Sequence, residues 1–266
     1  MSEPTSPPII ELVQEGVRLN IGCGQAHYGD GYINCDLYPG DNVDMVFDAC
    51  KKWPYPDNSA RSIYSSHTLE HLADPVAFFQ EAWRVLKPGA TMQLAMPYGH
   101  HRAAWWDVTH IRPWFPESFA FLQPGYNVGS RNLQHANWKE YFHVADTAQR
   151  VSARLAPLLQ WKMARRLLMP WLHVFNDVVE ELYVYLIALK TPDQISQWIL
   201  DYKDPMLVPS RYVMYAHHWY GTRPPDGPVG LMPLSVLVLA PGGFHDWGRS
   251  GPSKVRYQKR LRGSKV

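Results

Sequence analysis

Two glycines and an acid impose the first chemical constraint. In VRLNIGCGQAHYGDGYINCDLYP, Val17 to Pro39, Gly22 and Gly24 flank Cys23 directly after a short apolar run, and Asp36 follows Gly24 by twelve residues. Glycine lets backbone approach a ligand closely, because no Cβ intervenes. An acid at the end of the next strand accepts two hydrogen bonds from a ribose diol, the arrangement that nucleotide-type ligands use in doubly wound sheets. The loop lacks both the third glycine of the dinucleotide fingerprint and the lysine of a P-loop, so phosphate is not indicated.

Two histidine-bearing stretches add polar groups. HTLEH, His67 to His71, matches the H-x-x-E-H pattern of inverted zinc peptidases, in which both histidines bind zinc and the glutamate acts as base. That chemistry needs the motif inside one helix with a third ligand further on, whereas His67 directly follows a strand-like run. A divalent ion on Glu70 and His71 is a related possibility without further support in this run. No metal is expected. The second stretch, WWDVTHIRP, places Trp105, Trp106, Asp107, His110 and Arg112 close together. Such a group offers aromatic walls and three kinds of hydrogen-bonding side chain to a polar substrate. The bland alternative is a structural lid in which Arg112 pairs Asp107.

The elements that must position these groups read as alternating strands and helices. Val17 to Ile21 is a buried strand ended by glycine, YINCD gives a second, VDMVFDA a third and IYSSH a fourth. Asp74-Pro75 marks a helix start, with Val76, Phe79, Trp83 and Leu86 on one face. KPG (Lys87 to Gly89) stops that helix, and TMQLAMP (Thr91 to Pro97) is a fifth strand. Residues from about Ala145 to Leu182 look helical, and YVYLIALK (Tyr183 to Lys190) is a late strand. The fold class expected is α/β, a Rossmann-like doubly wound and mainly parallel sheet with helices on both faces.

Taken in order, LNIGCG, YINCDLYP, FDA before an aromatic-Pro-Asp turn, SSHTLEHL and WRVLKPGATMQLAMP resemble the class I S-adenosylmethionine-dependent methyltransferases, in the branch with a short first connection. The resemblance implies S-adenosyl-L-methionine as cofactor. Gly22 and Gly24 would line its methionine portion, Asp36 with Leu37 its ribose, and Asp48 with Ala49 its adenine. Ser66 and His67 would sit beneath the methyl group. His67 and His110 are the candidate catalytic groups, and Trp105, Trp106, Asp107, His110 and Arg112 the candidate substrate-binding ones. For Asp48 the alternative is a turn cap. Cys23 reads as a small buried residue, not as a thiolate. Two departures stand out: Asn20 replaces an acid found in many members, and the twelve residues from Gly24 to Asp36 leave little room for a helix.

Length and charge bound the rest. The 266 residues are 46% hydrophobic and carry a formal net charge of +2, enough for one sizeable core and without an overall field for nucleic acid. Three cysteines without CxxC spacing suit a reducing compartment, and no uncharged apolar run reaches eighteen residues. A soluble cytoplasmic protein with no membrane association is expected. The division is a lead-in of residues 1–16, a domain of residues 17–191 with an acceptor loop at 98–145, and a proline-rich extension of residues 192–266. The last eighteen residues hold seven Lys or Arg and no acid, which keeps a nucleic-acid acceptor as the second reading behind a small-molecule or sugar-type metabolite. A non-catalytic binding protein on the same fold is the contrasting class. Neither the acceptor atom nor the oligomeric state is written in the sequence.

Overall fold

The computed structural model describes residues 16–24, 31–125, 138–152, 154–159, 161–168, 171–172, 175–202, 211–214, 237–240 and 243–245. Ten strands form one sheet: β1 (Val17–Ile21), β2 (Ile33–Asp36), β3 (Met45–Val46), β4 (Ala60–Ser66), β5 (Leu86–Pro97), β6 (Phe142–Val151), β7 (Val179–Ala188), β8 (Arg211–Met214), β9 (Leu237–Ala240) and β10 (Gly243–His245). Their order is β10-β9-β8-β6-β7-β5-β4-β1-β2-β3. The half from β3 to β5 is wholly parallel, and β7 enters antiparallel to β5. The order reverses beside β1, so the carboxyl ends of β1, β2 and β4 share one edge, where doubly wound sheets bind ligands. The expected α/β class is the one observed.

Helices α1 (Pro75–Val85), α2 (Ala103–Trp106), α3 (Ala156–Leu159), α4 (Lys162–Leu168) and α5 (Pro192–Asp201) complete the described elements, with 3-10 turns at Leu69–His71 and Pro116–Leu122. Helix α1 starts where the sequence puts it: Asp74 accepts the Ala77 amide at 3.0 Å and Pro75 takes the first turn. Its buried face is Pro75, Phe78, Phe79, Ala82 and Val85, one step round from the expected Val76, Phe79, Trp83 and Leu86. Trp83 stays at the margin because its indole N–H donates to the Leu189 carbonyl at 3.1 Å, while the Lys190 ammonium lies 4.4 Å from its ring centre. Phe79 packs edge-on against Phe78, Phe119 and Phe142, joining α1, the 116–122 turn and β6 in one core.

Three local expectations need correction. The third strand is only Met45–Val46, because Phe47 to Ala49 turn away into a segment that Asp48 caps. The fifth begins at Leu86, with an irregular register between Ala60 and Ser62 that absorbs the KPG residues. Residues from 145 to 182 are not one helical region: they hold the rest of β6, the short helices α3 and α4, and the start of β7. A register shift between Val144 and Asp146 explains the misreading. Phe142 and Val144 are buried on one parity and Thr147, Gln149 and Val151 on the other, as a bulge requires, so no two-residue period runs through the strand.

Residues 192–266, expected to lie outside the domain, supply α5 and strands β8 to β10 of the same sheet. Thr191 and Gln194 cap α5 reciprocally, each accepting from the other's amide at 3.2 and 3.1 Å. The basic tail and segment 126–137 of the acceptor loop lie outside the described residues. No described helix is long and apolar enough to cross a membrane.

Candidate active site

Between β1 and β2 the glycine loop is built by its own acid. Gly22 and Cys23 both donate to the Cys35 carbonyl, at 2.8 and 3.1 Å, which folds the chain back over the end of β2. Asp36 then accepts the Gly24 amide on Oδ2 at 2.8 Å and the Tyr38 amide on Oδ1 at 3.1 Å. Gly22 has φ of 71°, and a Cβ there would overlap the Thr68 side chain. Gly24 has φ of 54°, but among the described residues nothing lies within 4 Å of where its Cβ would stand. The first glycine is therefore needed for packing, and the second leaves room for a ligand. Leu37 is exposed next to Asp36. Cys23 is buried, and burial together with the Asp36 charge pushes its thiol up to about 11, so it stays protonated.

Asn20 does not face this loop. It is buried and donates to Asn34 Oδ1 at 2.9 Å, and Asp44 accepts from the Asn34 backbone at 2.7 Å. This amide ladder, which the sequence did not reveal, ties β1 to β2. Asp48 lies just past β3: its Oδ1 accepts the Cys50 amide at 2.9 Å and its Oδ2 lies 3.2 Å from Lys51. The amide bond and then the lysine hold its carboxyl below the usual range, as for a turn cap. The Ala49 carbonyl accepts from Trp53 Nε1 at 3.0 Å.

Ser66 and His67 end β4 at the same edge. His67 takes a left-handed φ of 50°, uncommon for a side-chain-bearing residue and a mark of local strain. Its amide is held by the Ala95 carbonyl at 2.8 Å. Its Nδ1 lies 3.3 Å from Glu70 Oε1 and its Nε2 lies 3.5 Å from Glu181 Oε1. Arg150 reaches Glu180 and Glu181 at 3.1 Å each, and the Tyr183 hydroxyl donates to Glu181. Burial lowers the affinity of His67 for a proton, but the bonds to Glu181 and Glu70 outweigh it and carry the pKa up to about 9. Burial likewise opposes the charge on Glu181, which His67 and Arg150 nevertheless hold below its ordinary value. The sequence singled out His67 alone. Glu181, Arg150 and Tyr183 arrive from β6 and β7, after more than eighty intervening residues, and only antiparallel insertion of β7, which sets Glu181 opposite Pro97, brings them here.

Of the loop residues, the structure gathers some and leaves others apart. Asp107 accepts from the Thr109 amide and hydroxyl at 2.9 and 2.7 Å and lies 3.8 Å from His110 Nε2. The Ile111 amide donates to the Glu70 carbonyl at 2.8 Å, bringing His110 against His71 with ring centres 4.6 Å apart. Arg112 reaches the Ala73 carbonyl at 3.5 Å instead of Asp107, so the expected Arg112–Asp107 lid pair is not formed. Trp105 and Trp106 are 65% and 71% exposed, and only Trp105 is tethered by its indole, to the Gly99 carbonyl at 2.8 Å. The base of the loop is fastened elsewhere: Arg102 makes bonds of 2.7, 2.9 and 2.7 Å to Asp177.

The strand order, the glycine loop and the acid after β2 coincide with a family match. Residues 33–94 match the family model described as a methyltransferase domain, Methyltransf_11. Over those residues the chain carries a methyltransferase-type domain. Similar solved structures include a SAM-dependent methyltransferase from Archaeoglobus fulgidus, with 16% identity, 67% of this chain and 89% of that one covered, and a TM-score of 0.42. Another is phosphoethanolamine N-methyltransferase 2 of Haemonchus contortus in complex with S-adenosyl-L-methionine, with 15% identity, 66% and 49% coverage, and a TM-score of 0.39. No curated protein matches the chain. The methyltransferase cofactor is S-adenosyl-L-methionine, and the open space at Gly24 beside the Asp36 carboxylate fits it.

Proposed function

We propose that this methyltransferase acts on a small-molecule or sugar-type metabolite in the cytoplasm. Residues 17–191 form the catalytic unit, with the acceptor held by the loop of residues 98–115. The observation that supports this reading is the balanced charge at the carboxyl edge, where Glu70, Glu181 and Asp107 face His67, Arg150 and His110. A phosphate backbone would call for an excess of cations there.

When bound, S-adenosyl-L-methionine supplies an electrophilic methyl group on a sulfonium centre. Gly22 and Gly24 shape the backbone cradle for its methionine portion, Asp36 with Leu37 receives the ribose, Asp48 and Ala49 border the adenine, and Ser66 closes the floor. These residues mainly align and exclude water, the larger part of catalysis when charge disappears in the transfer. His67 stands at the acceptor side as a cationic ring between Glu70 and Glu181, with Arg150 holding Glu181, and so sets the charge and position of the carboxylates that an acceptor meets. His110 contributes from the acceptor side, with Trp105, Trp106, Asp107 and Arg112 around it. A methyl-transfer assay over metabolite and nucleic-acid panels tests the reading. Turnover on nucleic acid alone would favour the basic tail as the acceptor site, and no turnover on any class would favour a binding protein.

A further inference from the structure

We propose that Glu70, His71 and His110 form a site for a divalent transition-metal ion of the zinc class. Each offers one ligand atom, and the three atoms lie within 4.8 Å of one another. The site is not surface decoration. Glu70 is 1% exposed, neither carboxylate oxygen is fully hydrogen-bonded, and its ion-pair partner, His67 Nδ1, lies 3.3 Å from Oε1 and leaves Oε2 unmatched. His110 Nδ1 is likewise buried without a partner. A buried carboxylate facing an unbonded imidazole nitrogen is costly, and a cation between them satisfies both.

The surrounding bonds turn the two imidazoles toward that ion. Thr109 Oγ1 donates to Asp107 Oδ1 at 2.7 Å and so has a lone pair left for the His71 Nδ1–H, 3.0 Å away. That tautomer leaves His71 Nε2 as the ligand atom. Asp107 Oδ2 lies 3.8 Å from His110 Nε2 and favours the proton there, which leaves the orphaned Nδ1 as the other ligand atom. One carboxylate, Asp107, thereby sets both histidines, the usual outer-shell arrangement of metal-binding histidine. Bonds of about 2.0–2.1 Å at tetrahedral angles separate ligand atoms by ~3.3 Å, within reach of small side-chain rotations here.

Two imidazoles and one carboxylate suit zinc, and next to it iron(II) or manganese, whereas magnesium and calcium prefer all-oxygen shells. Three protein ligands leave a position open to water or an acceptor oxygen, as in catalytic sites. The sequence argued against metal because the third ligand of this proposed site is not in the H-x-x-E-H run. It comes from the loop, and the Ile111–Glu70 backbone bond carries it back.

The test uses the full chain, stripped with chelator and titrated by calorimetry with zinc, manganese and magnesium separately, with bound metal counted per chain. The expected result is one zinc per chain, no competition from magnesium, and at least a tenfold affinity loss in His71→Ala and in His110→Ala. Thr109→Val removes no ligand, only the hydroxyl that orients His71, and should still weaken zinc by roughly tenfold or more. Glu70→Gln guards against misfolding variants: it keeps the side-chain volume, and it should abolish the thermal stabilisation that zinc gives the wild type. Zinc bound equally by wild type and the His71→Ala/His110→Ala double variant would overturn the proposal, as would equal affinity for magnesium. The proposal goes beyond the methyl-transfer reading, and neither cofactor nor acceptor enters the measurement, so its failure would leave that reading standing.

Discussion

Asp36 closes the glycine loop on itself, its Oδ2 accepting the Gly24 amide at 2.8 Å. The acid therefore shapes the loop itself, and in the proposed reading it also faces the ribose. Asp36→Ala should weaken S-adenosyl-L-methionine binding by about 1.5–3 kcal/mol, the range for hydrogen bonds to a charged group. Asp36→Asn keeps one oxygen acceptor for the loop and should lose less. Calorimetric affinities that are the same in wild type and Asp36→Ala would remove Asp36 from the site.

The two glycines of the loop should respond differently to alanine. Both have positive φ, where a side chain costs about 1–2 kcal/mol. At Gly22 the new methyl also collides with Thr68, adding an overpacking cost of roughly 1–3 kcal/mol. Gly22→Ala should thus show the larger drop in urea-denaturation stability. Gly24→Ala should be milder on stability and harsher on cofactor affinity, because its methyl enters the open space. Equal stability losses with unchanged affinity in Gly24→Ala would contradict this division of roles.

Away from the site, one histidine couples folding to pH. His143 packs between Trp198 and Tyr202, accepts from the Trp198 indole at 2.9 Å on Nδ1, and burial lowers its pKa to about 4 against the opposing charge of Asp201. The unfolded chain protonates this histidine near pH 6.5 and the folded chain does not. Its stabilising effect is complete above pH 6.5 and is lost as pH falls toward 4, on the order of 3 kcal/mol in all. His143→Gln keeps an acceptor for Trp198 but does not titrate. Denaturation midpoints measured between pH 4 and 7 should then fall less steeply in the variant, and identical slopes would show that His143 is not the group responsible.

How far the sequence reaches differs between elements. Gly22, Gly24 and Asp36 were legible because the glycine pair, the strand before it and the acid after it lie within one short span. The start of α1 was legible for the same reason, since Asp74 and Pro75 are local signals. The His67 network was not, because Glu181 and Arg150 belong to strands whose pairing with the β5 edge is non-local. In β6 the bulge after Val144 erased the period that would have announced a strand. His110 was singled out, but as an acceptor group, since nothing in the sequence shows the Ile111–Glu70 bond that sets it against His71.

The loop itself separates into anchors and free groups, and substitutions should reveal the split. Arg102 is an anchor, with three bonds to Asp177, and the guanidinium holds the Asp177 carboxyl down to about 2. Trp105 is half an anchor through Gly99. Trp106 is 71% exposed, and Arg112 has one long contact to the Ala73 carbonyl. Neither contributes much to the fold, since exposed groups without well-formed bonds are worth little to stability. A large exposed tryptophan and an arginine on the same loop offer a substrate apolar contact and hydrogen bonding. Trp106→Ala and Arg112→Ala should therefore lower kcat/KM for the identified acceptor by roughly tenfold or more, about 1.4 kcal/mol in transition-state stabilisation. Their melting temperatures and cofactor affinity should stay close to wild type. Arg102→Ala should instead lower the melting temperature by freeing the loop base. If Trp106→Ala and Arg112→Ala retained full kcat/KM while Arg102→Ala alone lost it, the loop would act through its attachment, and acceptor recognition would belong to another surface of the carboxyl edge.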